Sequence, residues 1–305
     1  MITTEPLTYE KIYYTLWETA QRYRSFTQFR VIGNSHDERM IPMLEAGHGI
    51  SVLFCIAGLD GADRWMSSFL VEMIQEYCRA YESNWTLEEE YQVRELLDDV
   101  RICFIPVVNP DGFEIGEKGF SAIRNPIYRQ MLKMMERDSD GFSYNARGMD
   151  IRRNFPTCYC SRNRIHQEPA SENETKALIR IFQEYRSAGL LSFRYLGKRI
   201  VYLRHPQSFA YNQRSYRLAR HLQKCSCYRL EKSSDEERGR RREEQTGTGS
   251  PEQYYGEITK QPAFMIETPE IIHDSPKEQA EECRQNYQEI HTLPLEYIMS
   301  LNRHG

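Results

Sequence analysis

Seven ionisable side chains could carry chemistry in this sequence: the carboxylates Asp60, Asp63 and Glu267, and the guanidiniums Arg147, Arg152, Arg153 and Arg194. A carboxylate can ligate a dication or take a proton from an activated water. A guanidinium stays protonated, cannot ligate a cation, and grips a carboxylate through paired hydrogen bonds. Arg152 and Arg153 therefore suit anion recognition or an internal ion pair, with Asp111, Asp150 and Glu267 as candidate partners. Adjacent residues on a strand face opposite ways, so a strand here would make one of the two arginines structural. His36, His48, His166 and His205 are scattered and read as ordinary surface or core residues. The pairs Cys158-Tyr159-Cys160 and Cys225-Ser226-Cys227 invite a four-thiolate metal site, but their one-residue gap is not the two-residue gap of a zinc knuckle. They read as reduced thiols in a reducing compartment.

The elements that must position these groups follow from the apolar pattern. Helical periodicity runs over 8–23, with Ile12, Leu16, Thr19 and Tyr23 on one side. A strand is expected over 28–34. The nearly continuous apolar run 50–57 reads as a central buried strand, followed by a long helix over 64–81. A second apolar strand over 101–108 meets Asn109-Pro110-Asp111-Gly112, a turn signal. Ser171-Glu172-Asn173-Glu174 has capping-box spacing and opens a helix reaching residue 185. Strands are expected over 190–193, 199–203 and 263–267, helices over 211–223 and 276–291, and a turn at Tyr195-Leu196-Gly197-Lys198. Alternating strands and helices predict an α/β fold, with one twisted, mixed but mostly parallel sheet covered by helices on both faces. No internal repeat or domain boundary stands out, so 1–305 is expected to be one domain, with a mobile charged loop at 233–249.

Bulk properties exclude several classes. The chain has 305 residues, 40% hydrophobic and 28% charged, as in a globular protein. A net charge of −4 gives no electrostatic case for nucleic acid. No run of about 18 apolar residues predicts a membrane span. The first residues carry neither a basic start nor an apolar run, so a cytoplasmic location is expected.

Six segments, in order, resemble the zinc carboxypeptidase family, the M14 metallopeptidases. They are Gly33-Asn34-Ser35-His36-Asp37-Glu38-Arg39; Gly58-Leu59-Asp60-Gly61-Ala62-Asp63; Ile105-Pro106-Val107-Val108-Asn109-Pro110-Asp111-Gly112; residues 145–156; residues 169–178; and Ala263-Phe264-Met265-Ile266-Glu267. The segment 145–156 most resembles the subgroup that cuts γ-D-glutamyl bonds in bacterial cell-wall peptides. The resemblance implies zinc held by a His-x-x-Glu pair and a distant His, with Glu267 at the general-base position and Arg153 at the carboxylate-binding position.

The matching ligand positions depart from the family pattern. Asp60 stands for the first His, Asp63 for the Glu and Arg194 for the second His. Arg152 replaces the Asn beside Arg153, and Arg147 is expected to face the same cleft. No tyrosine lies between Tyr228 and Tyr254, where the resemblance places a mobile one. The expectation is a carboxypeptidase-like protein without zinc or peptidase activity, Glu267 being a relic paired with an arginine. Arg194 is expected to fill the metal's place by pairing with Asp60, Asp63 or both. Arg147, Arg152 and Arg153 would line a cleft for a peptide or other carboxylate ligand. The alternatives are an active divergent metallocarboxypeptidase on peptides or cell-wall peptides, with zinc as cofactor, and a scaffold protein that binds no small ligand.

Overall fold

The apolar run near residue 50 becomes strand β3 (Ser51–Ile56), fourth in an eight-stranded sheet ordered β1-β2-β6-β3-β7-β10-β8-β9. The structure is a computed structural model and describes residues 5–135, 141–157, 168–195, 197–204, 207–232, 249–271 and 275–302. The other strands of this sheet are β1 (Thr27–Asn34), β2 (Met40–Ala46), β6 (Val100–Ile105), β7 (Ser187–Tyr195), β8 (Arg199–Val201), β9 (Arg229–Glu231) and β10 (Ala263–Thr268). β4 (Thr86–Leu87) and β5 (Tyr91–Gln92) form a separate small hairpin. The centre is parallel, β6-β3-β7-β10, while β1, β2 and β8 join antiparallel. The expected mixed sheet with a parallel core is therefore present.

Helices cover both faces because both faces of the central strands are apolar. Leu53 and Cys55 belong to one core, with α1 (Tyr9–Arg22), α2 (Arg64–Ser83), α3 (Val93–Asp99), α7 (Phe209–Lys224), α9 (Pro276–Ile290) and α10 (Leu293–Asn302). Val52, Phe54 and Ile56 point the other way, onto α6 (Asn173–Glu184) and α8 (Pro251–Thr259). Phe54 meets Phe182, Tyr185 and Tyr255 edge-on, with ring centroids 5.2, 5.8 and 6.2 Å away. Burial of each such ring stabilises by about 1.5–3 kcal/mol, and the edge contacts fix how α6 and α8 lie on the sheet.

Several boundaries differ from the sequence reading for identifiable reasons. Asn109-Pro110-Asp111-Gly112 opens helix α4 (Pro110–Lys118) instead of a simple turn. Asn109 caps it by accepting from Gly112 N at 2.9 Å, and Pro110 takes the first helical position, where its missing N–H costs nothing. The Ser171 capping box does not form. Glu172 is the N-cap of α6, and Ser171 Oγ donates to Glu172 Oε1 at 2.6 Å. A capping box does form at Ser250 and Gln253, opening α8. α5 (Pro126–Met134), α8 and α10 were not expected from periodicity. Residues 233–248 of the charged loop, and Cys158 and Cys160, lie outside the described residues. Gly249 bridges to Phe155 in an antiparallel pair.

Candidate functional site

The parallel strands β3, β6, β7 and β10 end at one edge, the position where open α/β sheets form clefts. Asp60 and Asp63 follow β3, Asn109 and Asp111 follow β6, and Arg194 and Glu267 are next to last in β7 and β10.

Three loops are knitted together there. Val108 N donates to Ala57 O at 3.1 Å and Asn109 N to Gly58 O at 2.8 Å, extending the β3–β6 ladder beyond the strands. Gly58 has φ +63°, and a Cβ there would sit 2.9 Å from Pro106 O, so only glycine fits without strain. A Cβ on Gly61 would lie 2.4 Å from both Gly112 O and Phe142 O. This close approach carries the 142–154 segment onto the aspartate loop. Asn109 Nδ2 adds bonds to Leu59 O (3.3 Å) and Tyr144 O (3.2 Å).

Arg152 is the cation set between the carboxylates at this edge. Its Nη1 donates to Asp60 Oδ2 at 2.7 Å. Its Nε and Nη2 donate to the two oxygens of Asp150 at 2.9 and 3.2 Å. The local chain is a short 3₁₀ turn, Ile151–Arg153, with Asp150 accepting from Arg152 N at its start. The strand argument therefore fails: a 3₁₀ turn lets both arginines reach one carboxylate, and Arg153 Nε lies 3.4 Å from Asp150 Oδ2. Burial alone would raise the Asp150 pKa, but Arg152 and Arg153 outweigh it and hold the carboxyl below the usual range. Asp111 is not a partner of these arginines. Arg39 and Ser35 hold it instead, at 2.9 and 2.6 Å.

Asp63 is almost wholly buried, and its Oδ1 has no hydrogen-bond partner among the described residues. It stands at the N-cap of α2 without making a side-chain cap bond. Burial, then the charge of Asp60, pushes its carboxyl well above the usual range, opposed by Arg194 and Arg152.

Arg194 does not pair with either aspartate. Its Nη2 donates to Glu252 Oε1 on α8 at 2.6 Å, and its Nε to Ser192 Oγ at 3.3 Å. The sheet explains the choice. Ser192 and Arg194 alternate with Leu191 and Phe193, so Arg194 emerges on the face covered by α6 and α8, where Glu252 is fully buried. Burial would raise the Glu252 pKa, but Arg194 and Arg204 lower it below the ordinary value.

Glu267 is in register with Arg194 on one side and Arg199 on the other, and the three share a sheet face. Arg199 Nε donates to Glu267 Oε2, so the expected arginine partner is present. Arg147 lies elsewhere: its Nη1 donates to Glu172 Oε1 at 3.2 Å. The structure thus gathers Asp60, Asp63, Asp150, Arg152 and Arg153, sets Arg194 with Glu252 and Glu267 with Arg199, and sends Arg147 to a neighbouring acidic group. Glu252 and Arg199 were missed. The strand register at Glu267 could have suggested Arg199, whereas no sequence signal marks Glu252.

A second group was missed as well. His36 Nε2 lies 3.1 Å from Glu172 Oε2, and one donor atom from each of His36, Glu172 and Glu174 falls within 4.8 Å of the others. Its segments were visible, one with Ser35-His36 and one with Glu172 and Glu174, but nothing in the spacing joins them.

The zinc carboxypeptidase family model matches residues 12–288. The structure resembles bovine thrombin-activatable fibrinolysis inhibitor, solved with tick carboxypeptidase inhibitor, at TM-score 0.73 and 15% identity, covering 99% of each chain. It resembles carboxypeptidase A from Helicoverpa armigera at TM-score 0.67 and 14% identity, covering 98% of this chain and 75% of that one. The murein-tripeptide amidase MpaA from Escherichia coli O157 gives TM-score 0.51 and 17% identity, with 88% and 91% covered. A search of curated protein sequences gives no match.

Proposed function

The chain belongs to the zinc carboxypeptidase family, and we propose that it has given up the family's zinc and peptidase chemistry while keeping an arginine-bearing cleft for a carboxylate ligand. The observation that carries this reading is the guanidinium of Arg152 held between Asp60 and Asp150. The residues present do not fit a catalytic zinc. Such a site takes three protein ligands. Here Asp60 is engaged by a fixed cation, Asp63 is a carboxyl that burial favours in its neutral form, and Arg194 is itself a cation. Each feature raises the cost of placing a dication between them. Glu267, salt-bridged to Arg199, then has no metal-activated water to deprotonate.

Ligand recognition rests on Arg153, whose side chain keeps 37% exposure. A carboxylate arriving there would gain charge-assisted hydrogen bonds without a cation having to be exposed from the core. The residues linking the sheet ends hold the site rigid, which keeps the ordering cost of binding low. Cys55, Cys78 and Cys103 are buried thiols, in keeping with the reducing, cytoplasmic setting we assign.

The test is a zinc-supplemented peptidase assay on the purified protein, with carboxypeptidase substrates and cell-wall peptides, beside thermal shifts with short peptides bearing free carboxylates. The expected result is no chelator-sensitive hydrolysis, and peptide stabilisation that disappears in Arg153→Ala. Chelator-sensitive turnover lost in Asp60→Asn would establish an active divergent peptidase instead. Peptide stabilisation unchanged in Arg153→Ala would remove the carboxylate-binding part.

A further inference from the structure

His36, Glu172 and Glu174 lie outside the family's ligand positions, and we propose that together they form a binding site for a divalent transition cation of the zinc or manganese type. Three observations bear on this. First, the donors are already convergent: an imidazole nitrogen and two carboxylate oxygens lie within 4.8 Å of one another before any ion is considered. One nitrogen and two oxygens form a borderline donor set that suits these cations better than calcium or copper(I).

Second, Glu174 is fully buried, yet its Oε1 has no hydrogen-bond partner among the described residues. A buried carboxylate oxygen left unpaired is costly, and a cation is the partner that would satisfy it. The surrounding bonds orient the three groups, and Asn173 N donates to His36 Nε2 at 3.4 Å, a long bond that a cation would replace. Ser171 Oγ (2.6 Å) and Arg147 Nη1 (3.2 Å) hold Glu172 by Oε1, leaving Oε2 toward His36. Asn145 accepts from Arg147 N and Met149 N, each at 3.0 Å, which fixes its amide nitrogen toward Glu172 Oε2 (2.7 Å) and Glu174 Oε2 (3.5 Å). That amide orients both carboxylates through their Oε2 atoms and does not occupy Glu174 Oε1. Such bonds to ligating carboxylates tune a metal site.

Third, acidic groups outnumber basic ones around the centre. Glu174 feels Asp111 and Glu172, and Asp111 is in turn bound with Asp37 to Arg39. Among the described residues, the group linked by these contacts holds four carboxyl groups (Asp37, Asp111, Glu172, Glu174) against two guanidiniums (Arg39, Arg147). A dication offsets this acidic excess, and the imidazole adds no charge when it ligates. His36, whose side chain is 14% exposed, gives the ion a way in from solvent. A proton on Glu174 is the rival occupant, and the experiment separates the two.

The full-length protein is stripped with chelator and desalted, then titrated with Mn2+ and with Zn2+, reading bound metal per chain and thermal midpoint. The expected result is about one equivalent bound with a higher midpoint, both abolished in the near-isosteric Glu174→Gln and in His36→Gln. If Glu174→Gln does not fold, His36→Gln decides, since His36 lies on a loop. Cobalt(II) substitution adds a spectroscopic readout, in which one ligating imidazole should give a shifted proton resonance that His36→Gln removes. Asp60→Asn is the control and should leave the stoichiometry unchanged. The proposal is overturned if the wild type binds no cation, if both site variants keep it, or if Asp60→Asn is the substitution that loses it. The first of these outcomes assigns the site to a proton on Glu174.

Discussion

Arg194 Nη2 stands 2.6 Å from Glu252 Oε1, so the positive charge near the end of β7 is neutralised by the helix lying across the sheet. The two aspartates at the end of β3 take no hydrogen bond or ion pair from it. Two separate ion pairs, Arg194–Glu252 and Arg152–Asp60, stand around the positions where the family's zinc ligands would lie.

The first prediction concerns the buried pair. Arg194→Met leaves Glu252 charged and buried, and should cost about 3 kcal/mol, the usual penalty for breaking such a pair from one side. The double variant Arg194→Met with Glu252→Gln should be more stable than the single one, because the carboxylate stranded by the first substitution is gone. Chemical denaturation of the set gives the coupling directly. The pH sign follows from Glu252, whose folded pKa lies below its unfolded value. Its contribution is full above the ordinary carboxylate range and is lost as pH falls through the folded pKa. The acid limb of the stability curve should therefore be shallower in Glu252→Gln. An unchanged limb would show that the pair is not coupled to acid unfolding.

Asp63 should behave in the opposite sense. Its folded pKa is raised, so between the unfolded and folded values the native state holds the extra proton. Its contribution is favourable at low pH and is lost as pH rises through the folded pKa. Asp63→Asn removes that dependence and keeps an amide oxygen as acceptor. The variant should gain about 1–2 kcal/mol at pH 8 and less at pH 4. Calorimetry at the two pH values checks this, and a loss at pH 8 would mean that the ionised carboxylate is used by something else.

Arg152→Gln should cost about 2 kcal/mol in a urea melt, less than a fully buried pair because Arg152 and its partners keep 12–18% exposure. Asp60 and Asp150 would then face each other without their shared cation. Added salt should recover part of the loss in the variant, since unpaired charges near solvent are screened. If Arg152→Gln is as stable as the wild type, the guanidinium is not what holds the aspartate loop to the 3₁₀ turn.

Most of the architecture was legible in the sequence, because buried parallel strands such as β3 and β10 must be continuous apolar runs and helices such as α1 must repeat their apolar residues at 3.6. The short elements escaped. α5 exposes all but Leu132 of its residues in whole or part, and α10 is too uniformly apolar to show a face. The residues of the site were also legible, but their pairing was not. Arg194 was placed by resemblance opposite two aspartates, yet partner choice depends on which sheet face its side chain leaves and on what helix covers that face. Glu252 lies within the Ser250–Gln253 capping box, which signals a helix start but not an ion pair, so only the tertiary structure could name it as the partner of Arg194. The same holds for His36 with Glu174, which are brought together by β1 packing on α6.

The last prediction tests what a zinc site lacks here. Asp60→His, Asp63→Glu and Arg194→His restore the family's ligand types, with Glu252→Gln removing the carboxylate that Arg194 would leave unpaired. Arg152, whose Nη1 donates to Asp60 Oδ2 in the wild type, would still stand beside residue 60, a cation next to the incoming metal. Adding Arg152→Asn should therefore tighten zinc binding by about tenfold or more, since about 1.4 kcal/mol of relieved repulsion suffices for that factor. Competition with a chromophoric chelator measures both affinities, in a background carrying His36→Gln so that the His36 group does not contribute. Equal affinities with and without Arg152→Asn would show that the arginine turns aside once Asp60 is gone. The barrier to metal would then lie in the ligand residues alone.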